Sequence, residues 1–196
     1  MAFLSLSGGA IAGIVVGAVA LVLLIIAIWY ITTKNKLIAV RNDVEESYSA
    51  MDVHMKKRYD LIPNLVETCK GYAKHESETL TRVISARNNA VSASAADKAA
   101  AEKELGSSLK VLMNMVAESY PQLKADSQFN NLSAQLEQAE HEIGQARKYY
   151  NAKVKLFNNK IEQFPSSIVA GRMHLERKPY FEIEDAAERV APKVSF

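Results

Sequence analysis

The chain has 196 residues, and its 24 Lys and Arg are nearly balanced by 22 Asp and Glu, for a formal net charge of +2. That near-balance removes the electrostatic reason to expect nucleic acid as a partner. A single cysteine excludes an intramolecular disulfide framework, and sparse Gly and Pro beside abundant Ala, Leu, Glu, Lys and Gln favours helix along most of the length.

Residues 1–9 are a short uncharged segment, and residues 10–31 form an apolar run without charge or proline. At about 1.5 Å per residue this run reaches roughly 33 Å, enough to cross a hydrocarbon core of about 30 Å. One segment cannot close a barrel, so it is expected to be a transmembrane helix. It is too long, and lacks the basic lead, for a removable signal peptide with an apolar stretch of about 7–15 residues. Trp29 and Tyr30 suit an interfacial belt. Lys34, Lys36 and Arg41 follow them, so the positive-inside bias predicts a single-pass protein with its N-terminus outside and its large domain in the cytoplasm. Gly9, Gly13 and Gly17 recur at steps of four, a pattern that lets helices approach closely in lipid and predicts self-association there. The competing reading is that glycine is simply common in such helices.

Residues 34–164 carry four stripes at steps of three and four, the period of long packed helices. The first runs from Leu37 through Val44, Met51 and Met55 to Tyr59, and the second, with one gap, from Ile62 through Cys69, Ala73 and Leu80 to Ala90. The third joins Leu105, Leu109, Leu112, Val116, Tyr120 and Leu123, and the fourth extends from Phe129 through Ile143, Tyr150 and Phe157 to Phe164. Pro63 must kink a helix or start one, with Asp60 as its cap in the second case. Arg58, Asp60, Pro63 and Asn64 are expected to form a polar network at that kink. Residues 92–97 read as a turn, Pro121 bends or ends the third helix, Ser127 is the expected cap of the fourth, and Pro165 stops it. Residues 165–196 lose the periodicity. Their Tyr180, Phe181 and Phe196 are expected to dock on the bundle or on a neighbouring subunit, because aromatics are costly to leave in water.

Chemistry is hard to find. His54, His75, His141 and His174 have neither each other at helical spacing nor a Glu three residues before, so no metal site is expected. Cys69 has apolar neighbours at helical spacing and reads as a core residue. The basic run at Lys56, Lys57 and Arg58 lies far along the helix from the bilayer. No serine sits in a nucleophile elbow and no glycine loop cradles phosphate in the soluble part. Among the asparagines, Asn64 and Asn151 stand out beside Pro-kinked or Tyr-rich segments, whereas Asn158 and the rest read as solvent-facing.

Lys57, Arg58, Tyr59, Asp60, Leu61, Ile62, Pro63 and Asn64 open a series of segments that resembles the LemA family. It continues over residues 70–76, at Glu118, Ser119, Tyr120, Pro121 and Gln122, at Ala146, Arg147, Lys148, Tyr149, Tyr150 and Asn151, and at Lys178, Pro179, Tyr180 and Phe181. Residues 191–196 close it. Cys69 and Tyr48 depart from the usual aliphatic and tryptophan. The resemblance implies one membrane helix followed by a four-helix bundle, with no accepted catalytic residue or cofactor. It associates such proteins with membrane proteases and with proteins bearing a TPM domain.

The expected fold is thus all-α, a long-helix up-and-down bundle behind an N-terminal transmembrane helix. The expected function is a self-associating, non-enzymatic scaffold or membrane organiser in the bacterial cytoplasmic (inner) membrane, without cofactor or metal. The alternative is an adaptor or regulator of an envelope protease or transporter.

Overall fold

The computed structural model describes residues 8–73 and 76–182. Among these described residues six helices follow in order: α1 (Gly8–Lys70), α2 (Ser77–Ser92), α3 (Lys98–Ser119), α4 (Pro121–Lys124), α5 (Ser127–Glu162) and α6 (Ser166–Arg172). Among the described residues there is no strand, and the fold is all-α as the periodicity predicts.

α1 is one helix of 63 residues that begins in the apolar run and continues past Pro63 for seven more residues. The alternative of a new helix capped by Asp60 is therefore overturned. Proline lacks the amide proton that would bond the carbonyl four residues back, here that of Tyr59. Arg87 of α2 replaces it, its Nε donating to the Tyr59 carbonyl at 3.2 Å. Ile62, Leu65 and Val66 are buried on both sides of the proline, so packing holds the helix across it. Arg87→Met should leave that carbonyl without its donor and cost about 1–2 kcal/mol. In a Pro63→Ala background, where the backbone supplies the proton again, the same change should cost less than about half as much. Equal costs in both backgrounds, by urea denaturation, would show that Arg87 does not serve the proline.

α2 and α3 pack against each other as a hairpin. Their turn falls at the expected small polar residues, with Ser94 Oγ donating to Asp97 at 2.6 Å. α3 ends at Ser119, before Pro121. The cap of α5 is Asp126 rather than Ser127: its Oδ1 accepts the amides of Gln128 at 2.8 Å and Phe129 at 3.0 Å. A carboxylate one residue earlier reaches the exposed N–H groups of the first turn better than the Ser127 hydroxyl would. After Pro165 the segment expected to be largely non-helical contains the short helix α6.

The contacts form two compact units. In the unit of residues 1–45 and 153–178, side chains 12–28 are all exposed, Trp29, Tyr30 and Thr33 are half-buried, and Leu37 and Val44 are buried. From α5 and α6 this unit buries Val154, Phe157, Ile161, Val169 and Ala170. Lys153 pairs with Asp43 at 2.8 Å. Phe164, expected at the end of the fourth stripe, is instead 82% exposed. α5 stops at Glu162, and the chain turns before the stripe would reach it. The unit of residues 46–152 and 179–196 has a core of Met51, Met55, Leu65, Leu105, Leu112 and Ile143, with residues 183–196 outside the described set.

Candidate functional site

Extended backwards in steps of three and four, the apolar stripe of α3 runs from Leu105 onto Glu102 and Lys98, which places two charges on a buried face. Opposite them α1 presents Arg58 and Tyr59. The Arg58 guanidinium donates to Glu102 through one nitrogen and to Glu140 of α5 through the other. The Tyr59 hydroxyl donates to the second oxygen of Glu102. Lys98 Nζ donates to the Ala90 carbonyl at 2.8 Å and lies 5.8 Å from the centre of the Tyr59 ring. The Arg58 and Glu102 side chains are only 3% and 2% exposed.

Burial pushes the Glu102 carboxyl above its ordinary range, against the opposing pull of Arg58 and of the Tyr59 hydrogen bond. Burial, joined by Glu102, pushes the Tyr59 hydroxyl up, which keeps it a proton donor. Both carboxylate oxygens of Glu102 are thus occupied. The cluster ties α1, α3 and α5 together through buried, hydrogen-bonded charge. Arg58 Nε is buried without a partner, and a groove of about 470 Å³ lies alongside, lined by Arg58, Lys110, Met113, Leu136 and Glu140 among others.

At the rim of the cluster, Glu142 accepts hydrogen bonds from Gln138 at 2.8 Å and from Lys57 at 3.1 Å, and faces His54 Nδ1 at 3.1 Å. Gln138 first, then Lys57 and His54, hold its carboxyl down at about 2 against an ordinary 4.5. A carboxyl with a depressed folded-state value stabilises the fold above its unfolded value, and that contribution is lost as pH falls from 4.5 towards 2. Asp126 titrates with the same sign, its carboxyl lowered by the Phe129 amide and then by the Tyr72 hydroxyl. The thermal midpoint of Glu142→Gln should therefore lie below that of the parent at neutral pH and converge on it on acidification. A gap independent of pH would mean that the carboxylate charge does not act there.

Of the other histidines, His141 Nε2 lies 3.0 Å from Gln145, His174 follows α6 at a φ of 51°, and His75 lies outside the described residues. Among the described residues no group of three or more His, Cys, Asp and Glu is placed to hold a metal. Cys69 is fully buried, which pushes its thiol up to about 11.

The C-terminal segment is held through its backbone. In the unit containing residues 46–152, the Asn151 amide accepts the Phe181 N–H at 2.8 Å and donates to the Phe181 carbonyl at 3.1 Å. The neighbouring Tyr150 hydroxyl donates to the Pro179 carbonyl at 3.2 Å, and its ring stacks edge-on against Tyr48 at 5.7 Å. Phe181 is 5% exposed and Tyr180 38% exposed, while Phe196 lies outside the described residues. In the other unit Asn158 treats Lys178 in the same way, accepting its N–H and donating to its carbonyl, both at 2.9 Å. Asn158 is buried, which overturns its reading as a solvent-facing residue.

The group expected around Pro63 is not brought together as such. Arg58 turns to the carboxylates, Asp60 and Asn64 are exposed, and Arg87 meets the carbonyl that the proline leaves unpaired. Gly9, Gly13 and Gly17 share the exposed apolar helix, and a Cβ added at any of them would meet nothing within 4 Å. Sequence reasoning missed Arg87, Lys98, Glu102 and Asn158. For Lys98 and Glu102 the signal is their place on the extended α3 stripe, and for Asn158 its place beside Phe157 and one turn after Val154.

Over residues 47–196 the chain matches the LemA family. It is 26% identical over 162 residues to Protein LemA of Metamycoplasma hominis, an alignment covering 82% of this chain and 74% of that protein.

Proposed function

Because the chain belongs to the LemA family and carries one helix long and apolar enough to cross a membrane, we propose that it is a membrane-anchored helical scaffold that self-associates through its anchor. The observation that carries the reading is the anchor itself. Residues 12–28 are exposed throughout, and Gly9, Gly13 and Gly17 leave one side of that helix open to a second backbone. The bundle favours a structural role, since its buried carboxylate is bound by Arg58 and Tyr59 from another helix. In this reading the protein is not an enzyme and lies in the bacterial inner membrane as a single-pass protein. Its N-terminus is outside and its domain in the cytoplasm, as Lys34, Lys36 and Arg41 direct.

Mass measurement of the full chain in nanodiscs tests the proposal. Replacing Gly13 and Gly17 by Ile should block close backbone approach and convert the oligomer to monomer. An oligomer unchanged by both substitutions would remove the glycine face as the contact. Protease added to intact spheroplasts checks the orientation, since digestion of the domain would reverse it.

A further inference from the structure

The same unit that holds the anchor carries an apolar surface outside it. Phe164 is 82% exposed and Ile168 53% exposed, at the turn after α5 and on α6. Isolated exposed apolar residues need no explanation, but their height along the anchor does. At the edge of this unit Lys153 meets Asp43, and the residues of α5 beyond it group with those of α1 up to Glu45. From that pair α5 therefore runs back along α1 towards the apolar run. With equal rise per residue on both helices, Glu162 at the end of α5 draws level with roughly Lys34, and Phe164 follows in the turn two residues on.

Burial along α1 agrees. Leu37 is covered, Thr33, Tyr30 and Trp29 are partly covered, and nothing from 28 back to 12 is. The protein coat ends where the interfacial aromatics begin, and α5 ends about one turn short of them with Phe164 exposed in the turn that follows. Charge points the same way. Residues 1–45 and 153–178 hold nine Lys and Arg against four Asp and Glu, whereas the rest of the chain holds fifteen against eighteen. Positive charge is thus concentrated in the part of the chain that contains the anchor.

We propose that Phe164 and Ile168 form a membrane foot, seated at the boundary between headgroups and acyl chains beside the anchor. Lys34, Lys36, Lys160 and Arg172, all exposed in the same unit, supply the positive charge for anionic headgroups. This rests on the anchor reading above. It adds a second lipid contact, which would fix the rotation and tilt of the unit against the bilayer surface, something a single helix cannot do alone.

The test uses the full chain in vesicles of phosphatidylcholine and phosphatidylglycerol with nitroxide placed shallow in the acyl chain. Buried Cys69, its thiol pushed up to about 11, will resist labelling, so Phe164→Cys and Ile168→Cys can each carry one environment-sensitive fluorophore. Val53→Cys is the control, at an exposed apolar position on α1 roughly 33 Å along the helix from Ile31. Trp29, the chain's one tryptophan, reports the anchor by its own emission. The foot predicts quenching at 164 and 168 at least about two-fold stronger than at 53, with Trp29 quenched as well. Quenched Trp29 with positions 164 and 168 no different from 53 would overturn the foot and leave the anchor standing. If Trp29 were unquenched too, the anchor itself would fall. Disulfide-linked dimers through position 164 without lipid quenching would assign the patch to a second copy of the chain, and would also overturn the foot.

Discussion

Replacing Arg58 by Met should destabilise the fold by about 3–5 kcal/mol, the cost of leaving one member of a buried ion pair without its partner. Glu102 would lose its guanidinium while remaining 2% exposed. The Tyr59 hydroxyl and the more distant Lys98 ammonium cannot replace a direct charge-assisted bond. The effect is a desolvation cost, so it should shrink when the other charge is removed as well. Arg58→Met combined with Glu102→Met should recover at least about half of the loss, because two apolar side chains can fill the space without a stranded ion. Chemical denaturation of the full chain in detergent would measure both. Additive losses would mean that Arg58 and Glu102 contribute separately. Glu140, which is 57% exposed, offers the internal contrast: Glu140→Gln should cost well under 1 kcal/mol, as exposed pairs do.

This asymmetry explains what was legible in the sequence. Apolar spacing is a local signal, and it located α1, α3 and α5 together with core residues such as Met51, Leu112 and Ile143. The long apolar helix was equally plain, because an uninterrupted run of uncharged residues is visible without any partner and is long and apolar enough to cross a membrane. Partnerships between helices are not local. Nothing near Arg58 in the chain announces Glu102, forty-four residues on, and nothing near Pro63 announces Arg87. A charge on an apolar stripe is the one trace such a pairing leaves, and Lys98 and Glu102 carry it. Phe164 failed in the opposite sense. Its spacing continued the α5 stripe, but the helix had already ended at Glu162, and periodicity has no meaning past the last helical turn.

The second large effect is expected at Phe181. Truncation to Ala should cost about 3–5 kcal/mol, the range for emptying a buried phenylalanine site. Hydrophobic burial alone would not set the register of the segment, since Tyr180 next to it is far more exposed. That falls to Asn151, whose one amide reads both the N–H and the carbonyl of Phe181. Asparagine can do this because it holds a donor and an acceptor side by side. Asn151→Asp keeps the acceptor for the N–H but turns the donor into a second oxygen facing the Phe181 carbonyl. It should therefore be worse than Asn151→Ala, which leaves room for water. The order expected in thermal midpoint is parent, then Ala, then Asp at position 151, with Phe181→Ala lowest. Hydrogen exchange at the Phe181 amide separates anchoring from register. In Asn151→Ala that amide should exchange at least about five-fold faster while the core of α5 stays protected, because one bond is worth about 1 kcal/mol or more. Unchanged protection there would show that the buried ring alone holds the segment, and that Asn151 is dispensable to it.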